Sequence, residues 1–224
     1  MALLNFNAPA VEVHARCAFP SWNFREQPFR EQDFDWQLYV LAVKGDTARM
    51  KERWASLPIG AGATWRKIDK TCLDEVATSF GRWVAAKARA SGIVAPVFAA
   101  IPNRTALENV DTFRTALLAQ RAADAFGEGA RPFAGLRFRH LVTKEEKRRQ
   151  GVAELVGNLS LVEQVPNGQV VLVDDVFTEG HHVTAALRVL PQNRAPHWAF
   201  VAGRTVLHPL EDMSAEIQLN HYCF

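Results

Sequence analysis

The chain has few cysteines and no pattern that would pair them. Its 224 residues include Cys17, Cys72 and Cys223, at wide spacing and without a CxxC pair. Such a set indicates neither a disulfide framework nor a structural zinc site, and it is typical of a reducing compartment. We therefore predict a cytoplasmic protein that is stabilised by its own hydrophobic core, for which this length is sufficient.

Long hydrophobic runs and a large charge of one sign are absent as well. No run of 18 or more apolar residues occurs, so the sequence predicts no membrane partner. The first residues lack the charged leader and apolar segment of a secretory signal. The net charge of +2 excludes strong electrostatic binding of nucleic acid of the histone kind, although a local basic patch stays open.

The sequence changes character near residue 93. Before it, apolar residues at helical spacing predict helices at 35–43 and about 71–91, the second with Thr71 as its cap, and a shorter one within 47–57. The first thirty residues show no clear period. Beyond residue 93, short apolar runs alternate with helical patterns, which include a helix at about 105–126 and one that begins with a capping box of Thr143 and Glu146. Alternation of this kind predicts an α/β fold with a mostly parallel sheet. We therefore predict a mostly helical N-terminal attachment, 1–92, acting as a hood or interface, and an α/β domain, 93–224.

The segment VVLVDDVFTEGHHVT, 170–184, has the layout of a ligand site. An apolar strand leads to Asp174 and Asp175, and a short loop with Gly180 then opens a helix. In parallel α/β sheets, ligands bind beyond the C-terminal ends of strands, where loops lead into helix N-termini. Backbone N–H groups and the helix dipole favour a phosphate there. Neighbouring carboxylates suit ribose hydroxyls, or a magnesium ion held through water.

This segment resembles the 5-phosphoribosyl-1-pyrophosphate (PRPP) signature of type I phosphoribosyltransferases. In that signature an apolar strand leads into two acidic residues, two hydrophobic residues and a Thr-Thr-Gly-x-Thr type loop. From residue 93 to 206, about half of the chain, the order of segments is similar to the ComF (competence protein F) branch of that fold. The segments are a strand ending Ile101-Pro102, a helix ending AADAFG, a basic stretch, NLSLVEQ, the acidic strand and a last strand ending GRT.

The resemblance implies the type I phosphoribosyltransferase fold and a role for each matching position. Asp174 and Asp175 would be the catalytic carboxylates that face the ribose hydroxyls. The loop that would hold the 5′-phosphate consists of Thr178, Glu179, Gly180, His181 and His182. A first loop after Ile101, with Pro102, Asn103 and Arg104, would meet the pyrophosphate. A mobile basic hood within 139–149, with Lys144, Lys147 and Arg148, would supply charge to the leaving group.

The reaction implied by the resemblance displaces pyrophosphate from C1 of the ribose and transfers phosphoribose to an acceptor that the sequence does not identify. Mg²⁺ would accompany the pyrophosphate near Asp174 and Asp175, with no set of protein ligands of its own. The implied partners are a small phosphorylated ligand, PRPP or a nucleotide, and a second copy of the chain in a homodimer.

The sequence departs from the family pattern at two loop positions and at its N-terminus. Glu179 and His182 stand where the family has hydroxyl residues, and the cysteine-rich zinc module of the ComF family is missing. A carboxylate beside a phosphate is repulsive, and near a helix N-terminus Glu179 would itself be stabilised in the phosphate position. The alternative is therefore a catalytically inactive regulator or adaptor, for example in DNA uptake or processing. A scaffold without a ligand is disfavoured by the two intact carboxylates.

Other interpretations of the same residues fail on spacing. The acidic strand also fits a P-loop nucleotidase, but no Gly-Lys pair occurs in the sequence. In a receiver domain the acidic pair lies on the first strand. His181 and His182 are adjacent, so on a helix their side chains diverge by about 100° and do not reach one metal ion.

Overall fold

The computed structural model describes residues 10–23, 25–59, 64–103, 106–141 and 151–222. The strands are β1 (Ala10–Pro20), β2 (Ala55–Leu57), β3 (Arg66–Ile68), β4 (Pro96–Ala100), β5 (Arg131–Phe133), β6 (Leu136–Phe138), β7 (Leu159–Leu161), β8 (Gln169–Phe177), β9 (Trp198–Val206) and β10 (Ile217–Tyr222). The helices are α1 (Glu31–Lys44), α2 (Thr47–Met50), α3 (Leu73–Ala90), α4 (Arg114–Phe126), α5 (Val152–Asn158) and α6 (His181–Val189).

A central sheet of six strands organises the molecule, in the order β10-β1-β9-β8-β4-β5. The neighbouring strands in the series β1-β9-β8-β4-β5 are all parallel, and β10 pairs with β1 in the antiparallel direction at one edge. The pairs β2-β3 and β6-β7 form two small antiparallel sheets. The prediction of an α/β fold with a mostly parallel sheet is confirmed.

The first strand corrects the expectation for the N-terminal region. Residues 10–20, predicted to belong to a helical attachment, form β1 between β9 and β10. Val11, Val13 and Ala15 are fully buried, and the two residues between them, Glu12 and His14, are partly buried. This period of two is typical of a strand, but prolines and aromatic residues around it conceal the pattern in the sequence. The N-terminal region therefore contributes an interior strand to the main sheet.

Helices cover both faces of the sheet and join the two predicted regions. On one face, buried residues of α1, α3 and α4 pack with Phe98 of β4 and Phe200 of β9. On the other face, Val183 and Ala186 of α6 pack with Leu172 of β8. Residues from both sides of the predicted boundary at 92 share the first of these cores. The helices of the N-terminal region therefore lie against the sheet.

Several predicted elements differ from the observed ones at their ends. The helices near 35–43 and 71–91 are confirmed as α1 and α3, but Thr71 bonds to Asp69 and does not cap α3. The short helix within 47–57 ends at Met50, because residues 55–57 pair with β3. The helix predicted from 105 begins only at Arg114, since Leu107 bridges to Phe138. The predicted helix start at Thr143 lies outside the described residues.

Candidate functional site

A cleft with a volume of about 350 Å³ lies where β8 ends and α6 begins. Its lining combines one carboxylate from the strand, the whole of the connecting loop and the first turn of the helix. The lining residues are Leu155, Asp174, Val176, Phe177, Thr178, Glu179, Gly180, His181, His182 and Val183. All five predicted phosphate-loop residues and one of the two predicted catalytic carboxylates therefore lie together.

The loop is short because Gly180 turns the chain directly into α6. Gly180 has a φ of +80°, a left-handed conformation that glycine adopts without steric cost, and it is the N-cap of the helix. Its Cα is also closely packed, because a Cβ atom at this position would overlap the imidazole of His221. Glycine is therefore required here by backbone conformation and by space.

The N-terminus of α6 has no side-chain cap. The N–H of Thr184 donates to the carbonyl of Gly180 at 2.9 Å, but the N–H groups of the first turn have no acceptor within the helix. These groups form the positive end of the helix dipole, and their residues line the cleft. The end of the cleft at α6 therefore favours an anion, whereas Asp174 and Glu179 add negative charge to the lining.

The carboxylate of Glu179 does not fill the position of a phosphate. Its side chain is 73% exposed, and Oε2 lies 3.6 Å from Nδ1 of His181. It makes no capping hydrogen bond to α6. The structure therefore gives no support to the idea that Glu179 blocks its own loop.

The two adjacent carboxylates of β8 have different surroundings. Asp174 is 8% exposed, lines the cleft, and accepts a hydrogen bond from the backbone N–H of Asp175 at 2.7 Å. Asp175 is paired with Lys44 of α1, with 2.9 Å between Nζ and Oδ1. Successive side chains of a strand point to opposite faces of the sheet, so the two carboxylates diverge. The sequence had predicted that both carboxylates face one ligand. The structure brings only Asp174 to the cleft.

Two basic residues that the sequence analysis did not select support the face of β8 opposite the cleft. Lys44, at the end of α1, carries the charge that faces Asp175. Arg114 donates to the carbonyls of Val43 and Ala42 at 2.6 and 2.8 Å and so holds the last turn of α1 in place. Burial lowers the pKa of Arg114. Lys44 and Asp175 are 131 positions apart in the sequence, so no local motif relates them.

A third basic residue, Arg204, lies beside the loop on the side of β9. Its Nη1 donates to the carbonyl oxygens of Thr178 and Thr205 at 2.6 and 3.0 Å. The hydroxyl groups of the same two threonines are 2.9 Å apart. The last strand ending GRT was part of the sequence pattern, but no role was predicted for this arginine.

His221 packs against the loop from β10. Its Nε2 lies 2.8 Å from Oγ1 of Thr184, and its ring is 5.2 Å from that of Phe177. Burial lowers the pKa of His221, and the nearby His181 and Arg204 act in the same direction, while a hydrogen bond with the backbone of Gly180 opposes them. The His221 imidazole therefore favours its neutral form.

The remaining predicted site residues lie next to the cleft or outside the described residues. Pro102 is buried in a small apolar pocket, together with Phe138 and His182, and Asn103 follows it half buried. Arg104 lies outside the described residues, and so do the three residues of the predicted basic hood, Lys144, Lys147 and Arg148. The role predicted for the hood stays a prediction.

Among the described residues, no three His, Cys, Asp or Glu side chains lie close enough to hold a metal ion together. In the same part of the chain, no helix is long and apolar enough to cross a membrane. Compared with models of protein families and with curated protein sequences, the chain matches none of them.

Proposed function

We propose that the cleft at the end of β8 binds PRPP or a related phosphoribosyl or nucleotide ligand. The observation that carries the proposal is that one short segment places a hydrogen-bond acceptor and an anion-binding helix end in the same cleft. A buried carboxylate, Asp174, and the uncapped N-terminus of α6, which begins seven positions later at His181, line the same cleft. A phosphorylated ribose offers the matching pair, hydroxyl donors and an anion.

In this proposal the phosphate lies at the loop 178–182 and the ribose lies towards Asp174. The N–H groups of the first turn of α6 donate to phosphate oxygens, which also benefit from the helix dipole. The carboxylate of Asp174 accepts hydrogen bonds from ribose hydroxyls. The roles that the sequence resemblance implies are therefore best supported for the loop 178–182 and for Asp174, the first acidic residue.

Mg²⁺ fits the site only as a companion of the ligand. Magnesium is commonly held by one or two carboxylates together with substrate phosphates and water. Asp174 offers one carboxylate at the cleft, and the described residues offer no larger ligand set. When bound, the ion would neutralise charge on the pyrophosphate.

The reaction that follows is transfer of phosphoribose. A nucleophilic atom of the acceptor forms a bond to C1, and the bond from C1 to the pyrophosphate oxygen breaks, with its electron pair leaving on the pyrophosphate. The proton of the acceptor passes to solvent. Positive charge develops on the ribose, and the carboxylate of Asp174 stabilises it electrostatically.

A second candidate is a binding protein of the same fold without transferase activity, acting as a regulator or adaptor, for example in DNA uptake or processing. Two observations favour it. Asp175 is held by Lys44 away from the cleft, so one of two carboxylates is engaged elsewhere. Glu179 adds a negative charge to the lining, which weakens attraction for a polyanion.

The first experiment measures thermal stabilisation of the purified protein by PRPP, ribose 5-phosphate, AMP, GMP and pyrophosphate, each with and without Mg²⁺. A ligand at a hundred times its dissociation constant adds about 2.7 kcal/mol to the free energy of unfolding. Stabilisation by PRPP supports the proposal, and release of pyrophosphate with an added acceptor distinguishes the transferase from the binding protein. No stabilisation by any of the five would contradict both.

Asp174→Asn tests the role of the carboxylate. The substitution keeps the size of the side chain but removes the charge, so PRPP affinity falls by about tenfold or more if the hydroxyl groups bind there. Asp124→Asn is the control, because Asp124 is exposed on α4 and bonds to Gln120. Equal affinity of the wild type and the Asp174 variant, by calorimetric titration, would remove Asp174 from the site.

A further inference from the structure

Arg204 is a half-buried cation whose surroundings in the described part of the chain hold no carboxylate. One terminal nitrogen, Nη1, makes all of its hydrogen bonds there, to the carbonyls of Phe177, Thr178 and Thr205. The guanidinium also lies 5.2 Å from the centre of the Phe177 ring. The other terminal nitrogen, Nη2, has no hydrogen-bond partner among the described residues.

A positive charge in such a position requires an explanation. Lys44, a mostly buried cation on the opposite face of β8, faces the carboxylate of Asp175, whereas Arg204 and the partly buried Arg114 bond to backbone carbonyls. Removing a charge from water is unfavourable unless an opposite charge or several acceptors compensate. Three carbonyls compensate in part for Arg204, but all of them bond to Nη1, and no carboxylate among the described residues neutralises the charge.

The position of Arg204 also relates it to the cleft. Arg204 pairs with Phe177 across the sheet, and its guanidinium lies over the ring of that residue. Phe177 and Thr178, its two contacts on β8 and the loop, both line the cleft, so Arg204 is a direct neighbour of the lining without being part of it. A planar guanidinium has five donors in a fixed fork, so one amino group is able to hold the loop while the other meets a phosphate oxygen.

We propose that Arg204 is a phosphate-binding residue of the cleft, which holds the loop at Thr178 through Nη1 and binds the 5′-phosphate of the ligand through Nη2. Arg204 would then supply the positive charge that offsets the carboxylate of Glu179. The inference rests on the proposed function, since it assigns a contact for the phosphate of the same ligand. It also names the ligand class more closely: a ribose carrying a 5′-phosphomonoester.

The test compares Arg204→Gln with the wild type in calorimetric titrations of PRPP, ribose 5-phosphate and pyrophosphate. Loss of a charge-assisted hydrogen bond weakens binding by about tenfold to a hundredfold. We expect this loss for PRPP and for ribose 5-phosphate, and unchanged affinity for pyrophosphate, which has no 5′-phosphate. Arg53→Gln is the matched control, because Arg53 also donates to backbone carbonyls, those of Met50 and Arg49, but contacts no cleft residue.

The outcomes separate this inference from the proposed function. If the wild type binds neither PRPP nor ribose 5-phosphate, the proposed function fails and this inference fails with it. If the wild type binds and Arg204→Gln binds equally well, the inference alone is overturned. An equal loss for pyrophosphate would overturn the assignment to the 5′-phosphate.

A second variant keeps the test decisive if Arg204→Gln does not fold. Arg204→Lys retains the charge but lacks the fork, so it is unable to hold the loop carbonyls and a phosphate together. We expect affinity for ribose 5-phosphate to fall by about threefold or more, with a melting temperature close to that of the wild type. Unchanged affinity in this variant would overturn the inference.

Discussion

At the residue scale, Gly180 controls the shape of the loop between β8 and α6. Gly180 and Gly92 both have a positive φ, +80° and +70°, but only Gly180 has a neighbour within reach of a Cβ atom. We expect Gly92→Ala to cost about 1 kcal/mol for the left-handed conformation alone. Gly180→Ala adds the overlap with His221, and we expect it to cost at least about 1 kcal/mol more. Urea unfolding measures both; equal costs would show that the contact with His221 is not tight.

The pair of Lys44 and Asp175 gives a second test at the same scale. Both side chains are mostly buried, so removal of one partner leaves a charge with poor solvation. We expect Lys44→Met and Asp175→Asn each to destabilise the protein, and the double variant to be more stable than the sum of the two costs predicts. The expected coupling is about 1 kcal/mol or more, from urea unfolding of all four proteins. Additive costs would indicate that the pair does not contribute to stability.

The local part of the site could be predicted from the sequence, whereas its supports could not. Asp174 and the loop 178–182 are contiguous, and the strand, the glycine and the helix that position them are visible in their own residue types. Lys44 and Arg204 reach the same region through the sheet order and the packing of α1. Such contacts depend on which strands become neighbours, and one sequence contains no local signal for that.

At the element scale, β1 has an interior position that thiol chemistry is able to test. Cys17 is fully buried in this strand, its Sγ lies 3.2 Å from the carbonyl of Ala202, and burial raises its pKa. In a variant with Cys72→Ser and Cys223→Ser, we expect Cys17 to react with a thiol reagent only as fast as the sheet opens, because the thiolate is the reactive form.

The control for this labelling keeps Cys72 as the single cysteine. Cys72 is partly exposed before α3, and we expect it to react faster than Cys17 in native buffer, although burial also raises its pKa. Equal rates for the two thiols would contradict an interior position for β1. Denaturant that unfolds the protein should make both equally reactive.

The elements also show why β1 was not predicted. The buried apolar runs of β4 and β8 are strong signals because both faces of these strands are covered. In β1 the alternation of buried and partly exposed residues ends at Arg16, because the last four residues are all buried, and aromatic residues follow the strand closely. A period of two over so few residues is weak beside the helical period of α1, which comes next.

At the scale of the whole molecule, two partly buried histidines make stability depend on pH. Burial lowers the pKa of His14, opposed by Glu12, and burial lowers the pKa of His221, with His181 and Arg204 acting in the same direction. The unfolded chain, in which histidine titrates near about 6.5, then binds protons more readily than the folded protein does. The stabilisation is therefore present above this pH and is lost as the pH falls below it.

We accordingly expect the free energy of unfolding to fall from pH 7.5 to pH 5, measured by urea unfolding at each pH. His221→Gln removes one of the two groups but retains a polar side chain beside Thr184, so its stability should fall less steeply over the same range. His14→Gln should reduce the slope independently, because the two histidines have different partners: His14 lies beside Glu12, and His221 lies beside Thr184. A wild-type protein that is equally stable at pH 5 and 7.5 would contradict the lowered pKa values. If both variants keep the wild-type slope, the pH dependence of stability comes from other groups.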